Sequence, residues 1–455
     1  MPSWTLALEG ARKELAALEG ERRRKRALQI GYLAVREILY TVKLIPFAVR
    51  AATARMRLTQ KQLTIPLPLP LPLPQFEKKK EKREKKDVVR LIRDVKYDRE
   101  ANCKMDIYYT PVTTLKERER GSENENEMEK KSNREKQLPV LLFVHGGVWS
   151  SGELWHYSSL GDDLAKEGVV VAVATYPFYP QVNVTQQVTY VNSALSFVHN
   201  RIKEFGGDPT KVTFAGHSSG AHLAMMSVLA RAGLLEKGRE RERSESSKAS
   251  SPEEMDEKKR MPKSVVLMAG VYDIFKHYQY EYQRGVHSLS AMERAMGGTS
   301  EMGKLSPARI LDDHANDQNA PAKRNAEAIL REIEGKEKRR KELRRNAGEH
   351  ESLSSSTGST EDEDSTGLNV ASSSSSPLPP IYLMSGLEDD VVPWYWSSEF
   401  FEILGDRGLA AESTVYDTAT HLDFISCFNR GEHVRTDLAR IRSDLLRVVT
   451  GKGRR

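Results

Sequence analysis

Apolar runs recur along the middle and the C-terminal part of the chain and predict the buried strands of a mostly parallel sheet. Each run is continuous rather than alternating, which is typical of strands buried on both faces. The runs are residues 139–144, 169–174, 211–215, 264–270 and 380–385. Residues 91–97 and 105–109 alternate in part and predict an opening pair of strands, and 412–416 predicts the last strand.

Helical patterns lie between the predicted strands. Apolar positions recur at intervals of three or four over residues 184–202, which predicts an amphipathic helix. Residues 162–168 predict a short helix ended by a glycine. Residues 272–310 carry scattered aromatic side chains and are interpreted as a small helical cap. Strands that alternate with helices favour an α/β fold with helices on both faces of the sheet.

Charged and serine-rich tracts interrupt this pattern near residues 115–137, 236–260 and 321–377. Such tracts bury too little apolar surface to fold, so we predict three disordered insertions. Charged residues make up 29% of the 455 positions, and the rest suffices for one large domain over residues 88–455. The two cysteines exclude a disulfide framework.

Residues 1–87 form an N-terminal section in which residues 27–51 are the most apolar stretch. A helix here would carry a polar stripe, made by Gln29, Arg36, Lys43 and Arg50. Charges inside the stretch disfavour a lipid-exposed span, whereas the basic cluster at 21–26 favours a helix lying on a membrane surface. The alternative is an amphipathic helix packed on the protein's own domain. Pro46 should kink or end the helix.

A proline–leucine repeat at residues 66–74 predicts an extended spacer, and the charge run at 77–86 predicts a solvated linker. No aromatic residues interleave with these basic runs, so we do not predict a nucleic-acid site.

The sequence Gly216-His217-Ser218-Ser219-Gly220 follows an apolar run and precedes a helical pattern. A strand, a sharp turn of small residues and a helix are the context of a nucleophile elbow, with Ser218 as the nucleophile. The N–H group of Ser219 would lie at a helix N-terminus and stabilise an oxyanion. The alternative is a chance match in an ordinary turn.

His145-Gly146-Gly147-Val148 comes directly after another predicted strand. The glycines let the backbone approach a substrate, so the N–H groups of Gly147 and Val148 are candidates for the second half of an oxyanion hole. The alternative is a glycine turn without a catalytic role.

An acid and a histidine follow in the order that a catalytic triad of this kind requires. Asp389 and Asp390 both lie in the loop after a predicted strand, and we favour Asp389. His421 comes just after the last predicted strand, whereas His433 lies beyond that loop. The chain order Ser218, Asp389, His421 is itself part of the signature.

Together these motifs resemble the α/β-hydrolase superfamily and, within it, the isoprenylcysteine methylesterases, which are similar to kynurenine formamidases and small esterases. The resemblance also uses the motifs at 205–209, 306–307 and 420–423. It implies an α/β-hydrolase fold and hydrolysis of a prenylated cysteine methyl ester, a substrate with an apolar tail. No metal or diffusible cofactor is implied. Ser219 stands where the family often has alanine.

The resemblance further implies a membrane-associated protein of the endoplasmic reticulum or Golgi region, with a cytoplasmic protein as the alternative. Two other functions stay open. One is an arylformamidase or general carboxylesterase on the same fold. The other is a ligand-binding homologue without catalysis, whose expected mark is a damaged triad; all three triad positions are filled here.

Overall fold

The computed structural model describes residues 3–43, 45–63, 89–98, 103–111, 137–235, 260–312, 368–370, 377–428 and 436–452, with isolated positions between 331 and 342. The strands are β1 (Arg90–Asp98), β2 (Cys103–Tyr109), β3 (Leu138–Val144), β4 (Val170–Ala174), β5 (Gly207–His217), β6 (Ser264–Met268), β7 (Leu368–Val370), β8 (Ile381–Gly386) and β9 (Ala411–Tyr416).

These strands form one nine-stranded sheet in the order β1-β2-β4-β3-β5-β6-β8-β9-β7. The six strands from β4 to β9 in that order run parallel, and β1, β2 and β7 pair antiparallel at the two edges. Val144 of β3 lies opposite Gly216 of β5, and His217 lies opposite Met268 of β6. The carboxyl ends of the central strands therefore meet at one edge of the sheet, where all the predicted site loops emerge.

The helices are α1 (Ser3–Ala16), α2 (Gly20–Lys43), α3 (Ile45–Leu63), α4 (Ser158–Lys166), α5 (Val184–Arg201), α6 (Ser219–Arg231), α7 (Ile274–Gln283), α8 (Met292–Met296), α9 (Pro307–Leu311), α10 (Tyr395–Asp406), α11 (Asp423–Ser426) and α12 (Thr436–Thr450). Short 3-10 turns cover Leu154–Tyr157, Ile202–Phe205 and Thr299–Glu301.

Two apolar cores lie on the two faces of the sheet. Leu142 of β3 belongs to the core shared with α5, α6 and α10, while its neighbour Phe143 belongs to the core shared with α4 and α12. Both side chains are fully buried. This alternation follows from the two-residue period of a strand and explains why β3 is apolar throughout. The predicted α/β-hydrolase architecture is confirmed, including the small cap of α7, α8 and α9.

The N-terminal helices pack on the domain. Arg26 of α2 donates to Glu14 of α1 at 2.8 Å and to the carbonyl oxygen of Gly285 in the cap at 2.8 Å. Arg55 of α3 contacts the fully buried Asp106 of β2 at 2.5 Å. The alternative of an amphipathic helix packed on the protein's own domain therefore describes the parts of α2 and α3 that make these contacts.

Helix α2 is described to Lys43 and helix α3 from Ile45, with Pro46 as its second residue, and position 44 lies outside the described residues. Among the helices of the described residues, none combines the length and apolar character needed to cross a bilayer. Several large apolar side chains on α2 and α3 face solvent: Leu28, Tyr32, Val35, Ile45, Val49 and Met56.

Two details differ from the sequence predictions. Strand β5 begins at Gly207, four residues before the predicted run at 211–215, and Gly207 pairs with Leu138 of β3. The tract 321–377, predicted to be disordered, contributes β7, whose Val370 pairs with Ala411 of β9. The tracts 115–137 and 236–260, apart from their last residues, and the proline–leucine repeat lie outside the described residues.

Candidate active site

The nucleophile candidate Ser218 stands alone between the end of β5 and the start of α6. Its backbone has φ 56° and ψ −125°, a strained conformation for a residue with a side chain. A Cβ atom on Gly216 would lie 2.4 Å from the carbonyl oxygen of Gly220, and one on Gly220 would lie 2.2 Å from that of Val144. Both glycines are therefore required for the turn to close this tightly.

The loop after β3 lies directly against this turn. A Cβ atom on Gly146 would be 2.9 Å from the Cβ atom of Ser218. Gly147, Val148 and Trp149 all have positive φ values, which curl the loop so that Gly147 accepts hydrogen bonds from the N–H groups of Ser150 and Ser151 at 3.0 Å. In the turns and loops that the structure describes, the N–H groups of Gly147, Val148 and Ser219 have no carbonyl partner. These three N–H groups therefore stay candidates for binding a ligand oxygen.

His145 holds the base of this loop. Its Nδ1–H donates to the carbonyl oxygen of Gly146 at 2.8 Å, and its Nε2 accepts from the hydroxyl of Thr175 at 3.0 Å. The ring stacks on Tyr176 with centroids 5.0 Å apart. Burial lowers the pKa of His145 to about 4, so the imidazole is neutral at physiological pH.

A second chain of hydrogen bonds joins the loop to α6 and the cap. The indole N–H of Trp149 donates to Nδ1 of His222 at 3.2 Å, and Nε2–H of His222 donates to the carbonyl oxygen of Leu305 at 2.7 Å. His222 lies on α6, two residues after Gly220, and the sequence predicts no role for it. The only sequence signal for it is its place in the motif that follows Gly220.

The acid and the histidine are in direct contact. Asp389 is fully buried, and its Oδ2 lies 2.7 Å from Nδ1 of His421. Its Oδ1 accepts from the backbone N–H groups of Val391 at 2.9 Å and Val392 at 2.8 Å. Asp390, the other candidate acid, is exposed. With its Nδ1 turned to Asp389, His421 has Nε2 left for a reacting group.

His217 ties this pair to the elbow. Its Nε2–H donates to the backbone carbonyl of His421 at 2.8 Å, and the two rings lie 4.7 Å apart. Burial, and next the charge of His421, lower the pKa of His217 to about 3, so His217 stays a neutral donor. Because Ser218 follows His217 directly, the His421 loop is held beside the nucleophile candidate.

The structure thus places every predicted site residue at the same edge of the sheet: Ser218, Asp389, His421, Gly147, Val148 and Ser219. Within the described ranges, no group of three metal-ligating side chains comes together. The arrangement offers a hydroxyl, a histidine oriented by a buried carboxylate, and free backbone donors, which are the parts needed for acyl transfer.

Comparison with known proteins adds to this picture. Residues 127–312 match the family described as BD-FAE. The isoprenylcysteine alpha-carbonyl methylesterase of Arabidopsis thaliana is 27% identical over 295 residues, which are 64% of this chain and 52% of that protein. The kynurenine formamidase of Drosophila melanogaster is 28% identical over 169 residues, which are 36% of this chain and 48% of that protein. The chain spans about half the length of these relatives.

Among solved structures, esterase B from Lactobacillus rhamnosis superposes with a TM-score of 0.48 at 14% identity, covering 92% of this chain and 96% of that one. The sheet order, the strained serine turn and the strand-end acid–histidine pair define a hydrolase scaffold. The chain has the fold of the α/β-hydrolases.

Proposed function

We propose that the protein is a serine hydrolase that cleaves carboxylic esters with Ser218, His421 and Asp389. The observation that carries this proposal is the buried contact of 2.7 Å between Asp389 and His421, held beside the strained serine turn. A buried carboxylate that orients an imidazole is the arrangement that makes a neighbouring serine nucleophilic.

In the acylation step, Nε2 of His421 removes the proton of Ser218 as Oγ attacks the ester carbonyl carbon. The oxyanion that forms is bound by the N–H groups of Gly147, Val148 and Ser219, each contributing about 3 kcal/mol. His421 then returns the proton to the ester oxygen, the carbon–oxygen bond breaks, and the alcohol leaves. Asp389 stabilises the charged imidazole throughout.

In the deacylation step, His421 takes a proton from water as the water oxygen attacks the acyl-serine. The tetrahedral intermediate collapses, Ser218 recovers its proton, and a carboxylic acid leaves. The sum is one ester and one water converted into one acid and one alcohol.

The substrate that we propose is the methyl ester of a prenylated cysteine, with methanol and the free carboxylate as products. The likeness to the Arabidopsis thaliana methylesterase supports this substrate. The half-buried ring of Phe178, which contacts His145 beside the loop after β3, offers apolar surface for a prenyl tail. The likeness to a kynurenine formamidase makes an aryl formamide the second candidate substrate.

The test is turnover of three substrates: a farnesylcysteine methyl ester, an aryl formamide and a short p-nitrophenyl ester. We expect the first to react with the highest kcat/KM, and Ser218→Ala to lose about 10⁵-fold or more in kcat on every substrate that is cleaved. Ser193→Ala, a change at a half-buried position on α5, is the matched control. Failure of the folded protein to react with a fluorophosphonate at Ser218 would instead support a ligand-binding protein.

We further propose that α2 and α3 lie on a membrane surface, with endoplasmic reticulum or Golgi membranes expected from the resemblance to methylesterases. The exposed residues Leu28, Tyr32 and Val35 share one face of α2, at spacings of four and three. The exposed basic residues at 22–25 lie near the start of the same helix and suit anionic headgroups. Replacing the three apolar residues by serine should abolish flotation with anionic vesicles; unchanged flotation would contradict this proposal.

A further inference from the structure

The cap helix α7 covers the loop that carries the catalytic acid candidate. Its Tyr280 hydroxyl donates to the backbone carbonyl of Asp390 at 2.8 Å. His277 lies one turn earlier on α7, and both side chains belong to the buried face of that helix. The face of α7 that carries His277 is therefore turned toward the Asp389–His421 pair.

His277 has a carboxyl neighbour but no hydrogen bond to it. Its Nε2 lies 3.9 Å from Oε1 of Glu281, and the two side chains are only 5% and 12% exposed. This distance is too long for a hydrogen bond. Nδ1 of His277 has no hydrogen-bond partner among the described residues, although it is buried.

Both groups are held in their neutral forms. Burial, then the electrostatic effects of Arg284 and His421, lower the pKa of His277 to about 3. Burial raises the pKa of Glu281 to about 8, against the opposing effects of Ser290 and Arg284. A neutral imidazole carries one N–H and one lone-pair nitrogen. If the N–H is the one beside Glu281, Nδ1 is left as a buried acceptor that lacks a donor.

We propose that His277, supported by Glu281, determines substrate specificity by accepting a hydrogen bond from an N–H group next to the scissile ester. The substrates of this class are α-amino esters and α-amido esters. The inference rests on the proposed ester hydrolysis. The position of His277 leads to this inference, because His421 must reach both Ser218 and the leaving oxygen of the ester. The face of α7 that carries His277 and Tyr280 is turned toward the acid loop, so a substituent on the adjacent carbon extends toward that face.

An unpaired buried acceptor is costly, so a ligand that supplies the missing donor is favoured over one that does not. An ammonium group and an amide N–H both supply it, and they come from a free amino acid ester and a peptidyl ester respectively. An ammonium group, unlike an amide N–H, would also be attracted electrostatically to Glu281 when that carboxyl group is ionised. This difference distinguishes the amino acid ester from the peptidyl ester.

The experiment compares kcat/KM for three methyl esters of one carbon skeleton: the α-amino ester, its N-acetyl derivative and the ester without nitrogen. His277→Phe keeps the bulk and removes the acceptor. We expect it to lose about tenfold on one or both nitrogen-bearing esters, the factor for one hydrogen bond, and to change little on the third. His277→Asn, which offers an amide oxygen near the position of Nδ1, should restore part of the loss.

The outcomes separate this inference from the function on which it rests. A loss confined to the α-amino ester and repeated in Glu281→Gln assigns the ammonium, and a loss on the N-acetyl ester assigns the amide. An equal loss on all three esters would show that His277 only supports the fold, and the inference would be overturned while ester hydrolysis stands. Absence of turnover of every ester by the wild-type protein would overturn both. If His277→Phe does not fold, His277→Leu serves in its place.

Discussion

Two acid–histidine pairs lie buried near the same sheet edge, and they differ in the hydrogen bonds that the carboxyl group accepts. Asp389 accepts hydrogen bonds from His421 and from two backbone N–H groups, all within 2.9 Å. Glu281 lies 3.9 Å from His277, and burial raises its pKa to about 8. Burial alone therefore does not prepare a carboxyl group to orient a histidine. Hydrogen-bond donors that replace the lost water are also needed, because they compensate the negative charge of the carboxylate.

The difference also separates two kinds of work. The Asp389–His421 pair belongs to strand-end loops, where the rigid sheet sets the geometry. The Glu281–His277 pair belongs to a cap helix whose Tyr280 hydroxyl contacts that loop. The first pair is suited to moving protons, and the second to recognising a substrate, which tolerates a looser geometry.

The largest effect should come from neutralising the first pair. Asp389→Asn keeps the shape of the side chain but removes the charge that stabilises the imidazolium and selects its tautomer. We expect kcat to fall about 10⁴-fold. The matched change in the second pair, Glu281→Gln, should alter hydrolysis of an ester without nitrogen by only a few fold. Similar losses in the two variants would contradict the division of roles.

A smaller effect is expected at the residue that joins the first pair to the nucleophile. His217→Phe fills the same space but cannot donate to the carbonyl of His421, so that loop should shift. We expect kcat to fall up to about 100-fold with little change in KM, because His217 acts through position and not through substrate contact.

His217→Gln supplies an N–H near the original Nε2 and should recover part of that rate. Steady-state kinetics with a p-nitrophenyl ester, together with thermal unfolding of each variant, would check this. A change in KM without a change in kcat would argue against a positioning role.

The sequence predicts the first pair much better than the second. Strands β3, β4 and β6 are continuous apolar runs. The chain order of Ser218, Asp389 and His421 is a signature that can be recognised in the sequence alone. The choice between Asp389 and Asp390 is less secure, since both precede the same two valines. Only the folded loop buries one carboxyl group and exposes the other.

The second pair and the N-terminal packing depend on contacts between distant segments. His277 is an ordinary helix residue until α7 folds over the acid loop, and no period in the chain indicates this. Likewise, the polar stripe of residues 27–51 predicts a helix but not that Arg26 meets Gly285 of the cap. Strand β7 was missed because its three residues lie in a serine-rich tract and pair only with β9.

The sharpest test of the contrast is the stability of Glu281→Gln as a function of pH. The folded protein holds the pKa of Glu281 at about 8, above the ordinary value of 4.5. Between these values the unfolded chain has released the proton and the folded chain has kept it, so wild-type stability falls as pH rises. Glutamine cannot ionise, so the variant does not lose stability in this way as pH rises.

The variant should therefore gain on the wild type by up to about 1.4 kcal/mol per pH unit from pH 5 toward pH 8, and the gain should level off above pH 8. Denaturant unfolding at each pH measures the difference. Glu204→Gln is the matched control, because Glu204 is exposed and Arg201 lowers its pKa, so it should show no such gain. A pH-independent difference for Glu281→Gln would mean that its carboxyl is ionised like that of an ordinary glutamate. The two pairs would then not differ in the way the contacts indicate.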